Sequence, residues 1–202
     1  MKIVFIIALI ITLAGCRRNM NIEGIQDYIN NPIHNLSQTA IHGNCTIKLS
    51  YKPYQLMAFQ DLKVHRNFNR AAFDSLETLY SDNLYFILSL SCDDKEFIQQ
   101  AAGSRNNFTR QLNTLAFGMQ EYVRLIVDAE DTIPLADGIM TNMFGYAESN
   151  DILLVFVNQH TDVTDLKVIV EGSKFGLFDH TYPFTKKDIK KIPISYNKLF
   201  NP

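Results

Sequence analysis

The chain has 202 residues, 47% of them apolar and 20% charged, which suits a globular domain and excludes a disordered or fibrous chain. Nineteen Lys and Arg against 21 Asp and Glu leave a formal charge of −2. That is too weak to steer the protein toward nucleic acid, and no basic run interleaved with aromatics occurs.

Lys2 gives the N-terminus a positive start, and Ile3 to Leu13 is almost wholly apolar. This run is too short for a membrane-spanning helix, which needs about 20 residues. It has the length of a signal h-region. Leu13-Ala14-Gly15-Cys16 follows directly. Small residues before a cut let a peptidase reach the backbone, and a Cys at the new N-terminus offers a thiol for lipid attachment. These four residues resemble the lipobox of bacterial lipoproteins, a likeness confined to residues 1–16. It implies that residues 1–15 are removed and that Cys16 carries a diacylglycerol on sulfur and a further acyl chain on its amine. Two acyl chains already anchor a protein stably, at about 0.8 kcal/mol per buried methylene.

Loss of residues 1–15 leaves 187 residues and, without Lys2, a charge of −3. The Lys-Ile-rich signal, the many Asn and Tyr and the lack of Trp are similar to small Bacteroidetes envelope lipoproteins of unknown function. Surface-displayed members of that group often carry acidic residues after the Cys. Here Arg17-Arg18-Asn19 stands instead, against the usual charge preference of a translocated flank. The resemblance therefore implies the periplasmic face of the outer membrane. Residues 16–24 read as lipidated Cys and tether, and 25–202 as one globular envelope domain.

Along the domain, Gln26 to Asn30 suits a short helix stopped by Pro32. Residues 45–51 alternate, with Ile47, Leu49 and Tyr51 on one face, and predict a half-buried strand ended by Pro53. Helices are expected over 54–65 and, more strongly, over 67–81, where Phe68, Ala72, Phe73, Leu76, Leu79 and Tyr80 fall at helical spacing. Residues 84–91 are apolar on both faces and predict a central strand. Residues 95–102 suit a helical turn, and 108–117 suit either a strand or a helix through Phe108, Leu112 and Leu115. Strands are expected over 121–128 and 152–157, with an Asp-rich loop over 129–138. Residues 166–170 and 175–178 predict a hairpin turning at Glu171-Gly172-Ser173. Residues 185–191 suit a charged turn or short helix, and Ile194 and Tyr196 a final β segment. With about seven strands and helices concentrated between 54 and 117, the expected fold is α+β. It has an antiparallel β-sandwich-like core and helical insertions in the N-terminal half.

With Cys16 lipidated, Cys45 and Cys92 remain. If the runs they flank pair antiparallel, the start of one meets the end of the other. Export to an oxidising space then favours a disulfide over two buried thiols.

Catalytic and metal patterns are weak. His34, His42, His65, His160 and His180 form no HEXXH or HXH pair. His160 with Asp162 and Asp165, and the pair Asp179-His180, are the nearest approach to a dispersed hydrolase site. No GXSXG occurs. Gly176, between Phe175 and Leu177, opens no nucleotide loop. Asp128, Glu130 and Asp131 lack the spacing of a calcium loop and read as a solvated acidic turn. Lys186, Lys187, Lys190 and Lys191 read as a solvated edge rather than a phosphate site. Asp74-Ser75-Leu76 and Asp131-Thr132-Ile133 resemble the Asp-Ser/Thr-aliphatic O-glycosylation motif of exported Bacteroidetes proteins, with Thr132 the better candidate.

No cofactor, metal or catalytic residue is assigned. The leading expectation is a membrane-anchored, non-enzymatic accessory or protein-binding component, held through Cys16, with an envelope protein as partner and no nucleic acid. Phe144, Tyr146, Phe175, Phe178, Tyr182 and Phe184 would supply a binding face or, as the ordinary alternative, core. A periplasmic binder of a small ligand or glycan is the second reading, and a hydrolase the third.

Overall fold

A computed structural model describes residues 21–65, 69–101, 103–140, 147–158 and 164–194. The strands are β1 (Ser37–His42), β2 (Cys45–Lys52), β3 (Asn83–Cys92), β4 (Lys95–Glu96), β5 (Val123–Val127), β6 (Asp131–Pro134), β7 (Asp137–Met140), β8 (Asn150–Val157), β9 (Asp165–Glu171) and β10 (Asp179–Thr185). The helices are α1 (Ile22–Asn30), α2 (Tyr54–His65), α3 (Arg70–Ser81), α4 (Arg105–Phe117) and the single turn α5 (Lys186–Ile189). One sheet runs β1-β2-β3-β8-β7, with β4 added beside β3; the other runs β10-β9-β5-β6. Every strand pair among the described residues is antiparallel.

Side chains alternate along a strand, so each sheet presents one apolar face. Ile47, Leu49 and Tyr51 of β2, Phe86, Leu88 and Leu90 of β3, and Ile152, Leu154 and Phe156 of β8 are buried on one side. Leu125 of β5, Val168 and Val170 of β9, and Tyr182 and Phe184 of β10 are buried on the other. The sheets meet directly. The Tyr182 hydroxyl donates to the Ile47 carbonyl at 3.3 Å, and the Phe86 and Phe184 rings lie 5.0 Å apart. At the edge, the Gln38 amide donates to the Pro183 carbonyl. The chain is thus α+β with a two-sheet antiparallel core, and α2 and α3 are inserted between β2 and β3.

Local chemistry explains the helix starts. Asn21, Asn69 and Ser104 each accept from a backbone N–H of the first turn, at 3.0, 2.8 and 3.5 Å, as N-caps do. The β1–β2 hairpin turns in two residues. Gly43 takes φ +60°, a conformation that costs an L side chain about 1–2 kcal/mol.

Four expectations need correction. Residues 175–178 are not a strand: Gly172–Phe175 is a 3-10 turn, Gly176 takes φ +93°, and the strand that pairs with β9 is Asp179–Thr185. The Asp-rich segment 129–138 is not one loop, since it contains β6 and the start of β7. β1 occupies a segment given no element from sequence. The tether does not reach residue 24, because α1 begins at Ile22. The segment 108–117 resolves as helix, within α4.

Candidate functional site

The antiparallel register gathers particular strand ends at one end of the sandwich. Lys52 pairs with Tyr85 and Tyr85 with Val155, so the end of β2, the start of β3 and the end of β8 lie together. In the second sheet Thr185 pairs with Asp165, which joins the end of β10 to the start of β9. Between these ends lies a cavity of about 480 Å³. That falls within the usual range for small-ligand sites.

Pro53, Leu84, Leu166, Ile189, Ile192 and Ile194 supply its apolar wall. Tyr51 and Tyr54 bring phenols, Gln55 and Asn158 bring amides, and Lys186 and Lys190 bring ammonium groups. Tyr51 is only 5% exposed as a residue and lines the cavity from the end of β2. Burial, and then the neighbouring Tyr54, push the Tyr51 phenol far above its ordinary value. Burial and then Glu77 push Tyr54 up as well. Both hydroxyls therefore keep their protons at neutral pH and face the cavity chemistry as hydrogen-bond donors.

The lysine cluster divides. Lys191 pairs with Asp188 at 2.7 Å, whereas Lys186 and Lys190, four residues apart on one face, line the cavity. Lys187, Lys190 and Lys191 are exposed, as a solvated edge requires, and Lys186 is half-buried.

A second depression, of about 440 Å³, lies on the outer face of the first sheet between α1 and α2. Two of its three lysines are already engaged. Lys48 donates to Asn30 at 2.9 Å and Lys52 to Gln60 at 2.8 Å, and burial pulls the Lys52 ammonium below its ordinary value.

The residues singled out from sequence are mostly dispersed. His160, Asp162, Phe144 and Tyr146 lie outside the described residues, as does Cys16. Asp165 and Asp179 stand at opposite ends of the β9–β10 hairpin. Asp179 does not orient His180; its carboxylate accepts from the Ser173 N–H at 3.0 Å, and hydrogen bonds from Ser173 pull it below the ordinary carboxylate value. The His180 ring lies edge-on to Tyr182. His34 stacks on Tyr28 and His42 on Phe178, each at 3.6 Å between ring centres, and His65 sits 3.2 Å from Asp61. Among the described residues no three His, Cys, Asp or Glu come together as a metal site.

Cys45 and Cys92 are register partners, with Cα atoms 4.0 Å apart, and a disulfide joins them. Phe175, Tyr182 and Phe184 belong to the core, and Phe178 is 50% exposed. Ser75 is exposed on α3 with its hydroxyl donating to the Ala71 carbonyl. Thr132 is exposed on the edge strand β6, not in a loop. Among the described residues no helix is long and apolar enough to cross a membrane.

Sequence reasoning missed the cavity. Tyr51 counted only as one of three inward residues on β2, and Tyr54 as the first residue of a helix. The signal available was a polar-tipped aromatic at the last inward position of a strand, followed at once by Pro53. No family model matches the sequence, and no curated protein does. A crystal structure of a novel protein of unknown function from Burkholderia pseudomallei is similar at 13% identity, covering 86% of this chain and 91% of that one, with a TM-score of 0.38.

Proposed function

We propose that this chain is a lipid-anchored, non-enzymatic binding protein of the bacterial envelope, held at the periplasmic face of the outer membrane through Cys16, and that its domain takes a small ligand in the end cavity. The observation that carries the reading is the cavity itself, of small-ligand size, with an apolar wall and the Tyr51 and Tyr54 phenols in its lining. The phenols and ammonium groups around it suit binding better than proton transfer, because burial holds the phenols protonated.

The address rests on Leu13-Ala14-Gly15-Cys16, and the ligand reading rests on the cavity, so they are tested separately. Cys16→Ala should release the protein from membranes or leave the precursor uncut; unchanged fractionation and acyl labelling would refute the anchor. Leu84→Trp should fill the cavity. Compounds that raise the melting temperature of the native chain should then lose that effect, and a retained effect would place binding elsewhere.

A protein-binding role has one specific observation in its favour. Edge strands are normally guarded by charge or proline. β10 carries Pro183, but β1 reads Ser-Gln-Thr-Ala-Ile-His, with Ile41 70% exposed. Crosslinking in native cells tests it: one stoichiometric envelope partner joined through β1 would favour this role.

A further inference from the structure

We infer that the Cys45–Cys92 bridge is a thiol–disulfide exchange site, attacked at Cys45 Sγ by a dithiol, with His42 as the group that pairs with the Cys45 thiol once the bridge opens. The site lies at the end of the β2–β3 pair away from the cavity, and nothing in it depends on a ligand there.

The register sets the three side chains in one row. His42 faces Cys45 across β1 and β2, and Cys45 faces Cys92 across β2 and β3. Directly opposed residues of antiparallel strands project to the same face, with Cβ atoms about 4.5–5.5 Å apart. The row ends at Lys95, the exposed partner of Cys92 on β4. No Asp or Glu stands in it. The acids of the adjoining turn are Asp93, which accepts from Asn44, and Asp94, which is exposed.

The two cysteines differ in access. Cys92 is 1% exposed, whereas Cys45 is half-buried beside the two-residue turn Gly43-Asn44. Exchange needs access to the sulfur attacked, so an incoming thiolate meets Cys45 first.

His42 supplies the second observation. Its ring is half-buried and stacked on Phe178, and its Nδ1 is buried without a hydrogen-bond partner. Buried polar atoms ordinarily have partners, and a redox role is one reason for an exception. The disulfide has no hydrogen to offer Nδ1; a reduced Cys45 thiol has one. Reduction thus supplies the partner that the oxidised protein lacks, and a stabilised reduced form makes a bridge easier to open.

The site also outlasts the bridge. The Asp93 N–H donates to the Asn44 carbonyl at 3.0 Å, and the Asn44 amide donates to the Asp93 carboxylate at 2.6 Å. These bonds join the turns on either side of the disulfide, so the thiols stay opposed and can close again.

The exchange takes two displacements. A thiolate of the dithiol bonds to Cys45 Sγ, the Cys45–Cys92 bond breaks, and the electron pair leaves on Cys92 Sγ, which takes a proton. The second thiolate then attacks the dithiol's own sulfur in the mixed disulfide. It closes the dithiol into a disulfide and releases Cys45, which takes the second proton and pairs with His42 Nδ1. Two electrons and two protons pass from the dithiol to the protein.

Equilibration of the native full chain with mixtures of reduced and oxidised dithiothreitol, followed by alkylation and peptide mass analysis, measures the exchange constant. His42→Phe keeps a ring on Phe178 and removes the nitrogen. It should make the bridge about tenfold harder to reduce, a fall of about 30 mV in potential, with the urea midpoint of the oxidised protein unchanged. His42→Gln, which restores an acceptor, should recover most of the loss. An exchange constant that His42→Phe leaves where it was overturns the inference. The parent chain gives a readout that needs no variant. With the monothiol 2-mercaptoethanol and no denaturant, the trapped adduct should sit on Cys45 and the alkyl label on Cys92. The reverse pattern, or reduction only at urea concentrations that unfold the chain, overturns it as well.

Discussion

One carboxylate oxygen of Asp128 takes both polar groups of Thr164: the backbone N–H and the side-chain hydroxyl, each at 3.0 Å. The same oxygen accepts the Asp165 N–H at 2.9 Å, and the Asp128 N–H donates to the Asp165 carbonyl. The acid that opens an apparently solvated cluster thus pins the start of β9, next to the cavity residue Leu166.

That arrangement has a backbone cost. Asp128 and Ala129 take φ +47° and +61°, and an L residue pays about 1–2 kcal/mol for the left-handed region. Asp128 offsets this with its hydrogen bonds, whereas Ala129 is an exposed residue with only a methyl group. Ala129→Gly should therefore stabilise the protein by about 0.5–1 kcal/mol. A chemical denaturation midpoint that stays put or falls would contradict this account of the turn.

Gly172 is required for a different reason. A Cβ at this position would run into the backbone carbonyl of Phe178, which has no room to give. The Leu177 N–H donates to the Gly172 carbonyl at 2.8 Å and holds the turn closed. Gly172→Ala should cost about 3 kcal/mol or more. Thermal melting of the purified variant checks this, and a melting temperature within a degree or so of the parent would show that the turn yields.

The bridge between Cys45 and Cys92 closes a separation of 47 residues that includes α2 and α3. Constraining a loop of that size in the unfolded chain contributes about 2–4 kcal/mol. Reduction, or paired Cys45→Ala and Cys92→Ala substitution, should lower unfolding free energy by that amount. Overlapping urea curves with and without reductant would count against it.

The Asp179 carboxylate should appear in the acid limb of the stability curve. Hydrogen bonds from Ser173 hold it below its ordinary value of 3.8. A depressed folded-state value stabilises the native protein above that ordinary value, and the contribution fades as pH falls through the folded-state value. Asp179→Asn should be less stable than the parent at neutral pH and converge on it in strong acid. Parallel curves across the whole range would show that Asp179 contributes no linked stability.

The legible parts of the fold were those with a strong period. β2, β3 and β8 carry unbroken alternation or runs buried on one face, and α3 repeats at helical spacing, so their positions were readable from side chains alone. β10 was displaced because its inward residues are only Tyr182 and Phe184, separated by Pro183, while the richer apolar string at Phe175 to Phe178 drew the strand assignment. Pro183 is tolerable because β10 is an edge. β1 was missed for the same cause: an edge strand needs little apolar content, and Ser37 to His42 has little. β6 and β7 are four residues each, too short for alternation to rise above their Asp residues. The cavity could not be read because it is made by register, which brings Tyr51, Leu84 and Leu166 together from three strands and two sheets.

The disulfide and the cavity sit at opposite ends of one seam. Cys45 begins β2 and Cys92 ends β3, while Tyr51 and Leu84 mark the other end of the same strand pair. The seam is closed by a covalent bond at one end, whereas at the other the strands are joined only through the longer chain of α2 and α3. Opening motions should therefore grow along β2 and β3 away from that bond. Amide hydrogens near Tyr51 and Leu84 should exchange with solvent sooner than those near Ile47 and Leu90. A guest can then enter or leave through a local parting of the strands while the rest of the core stays folded.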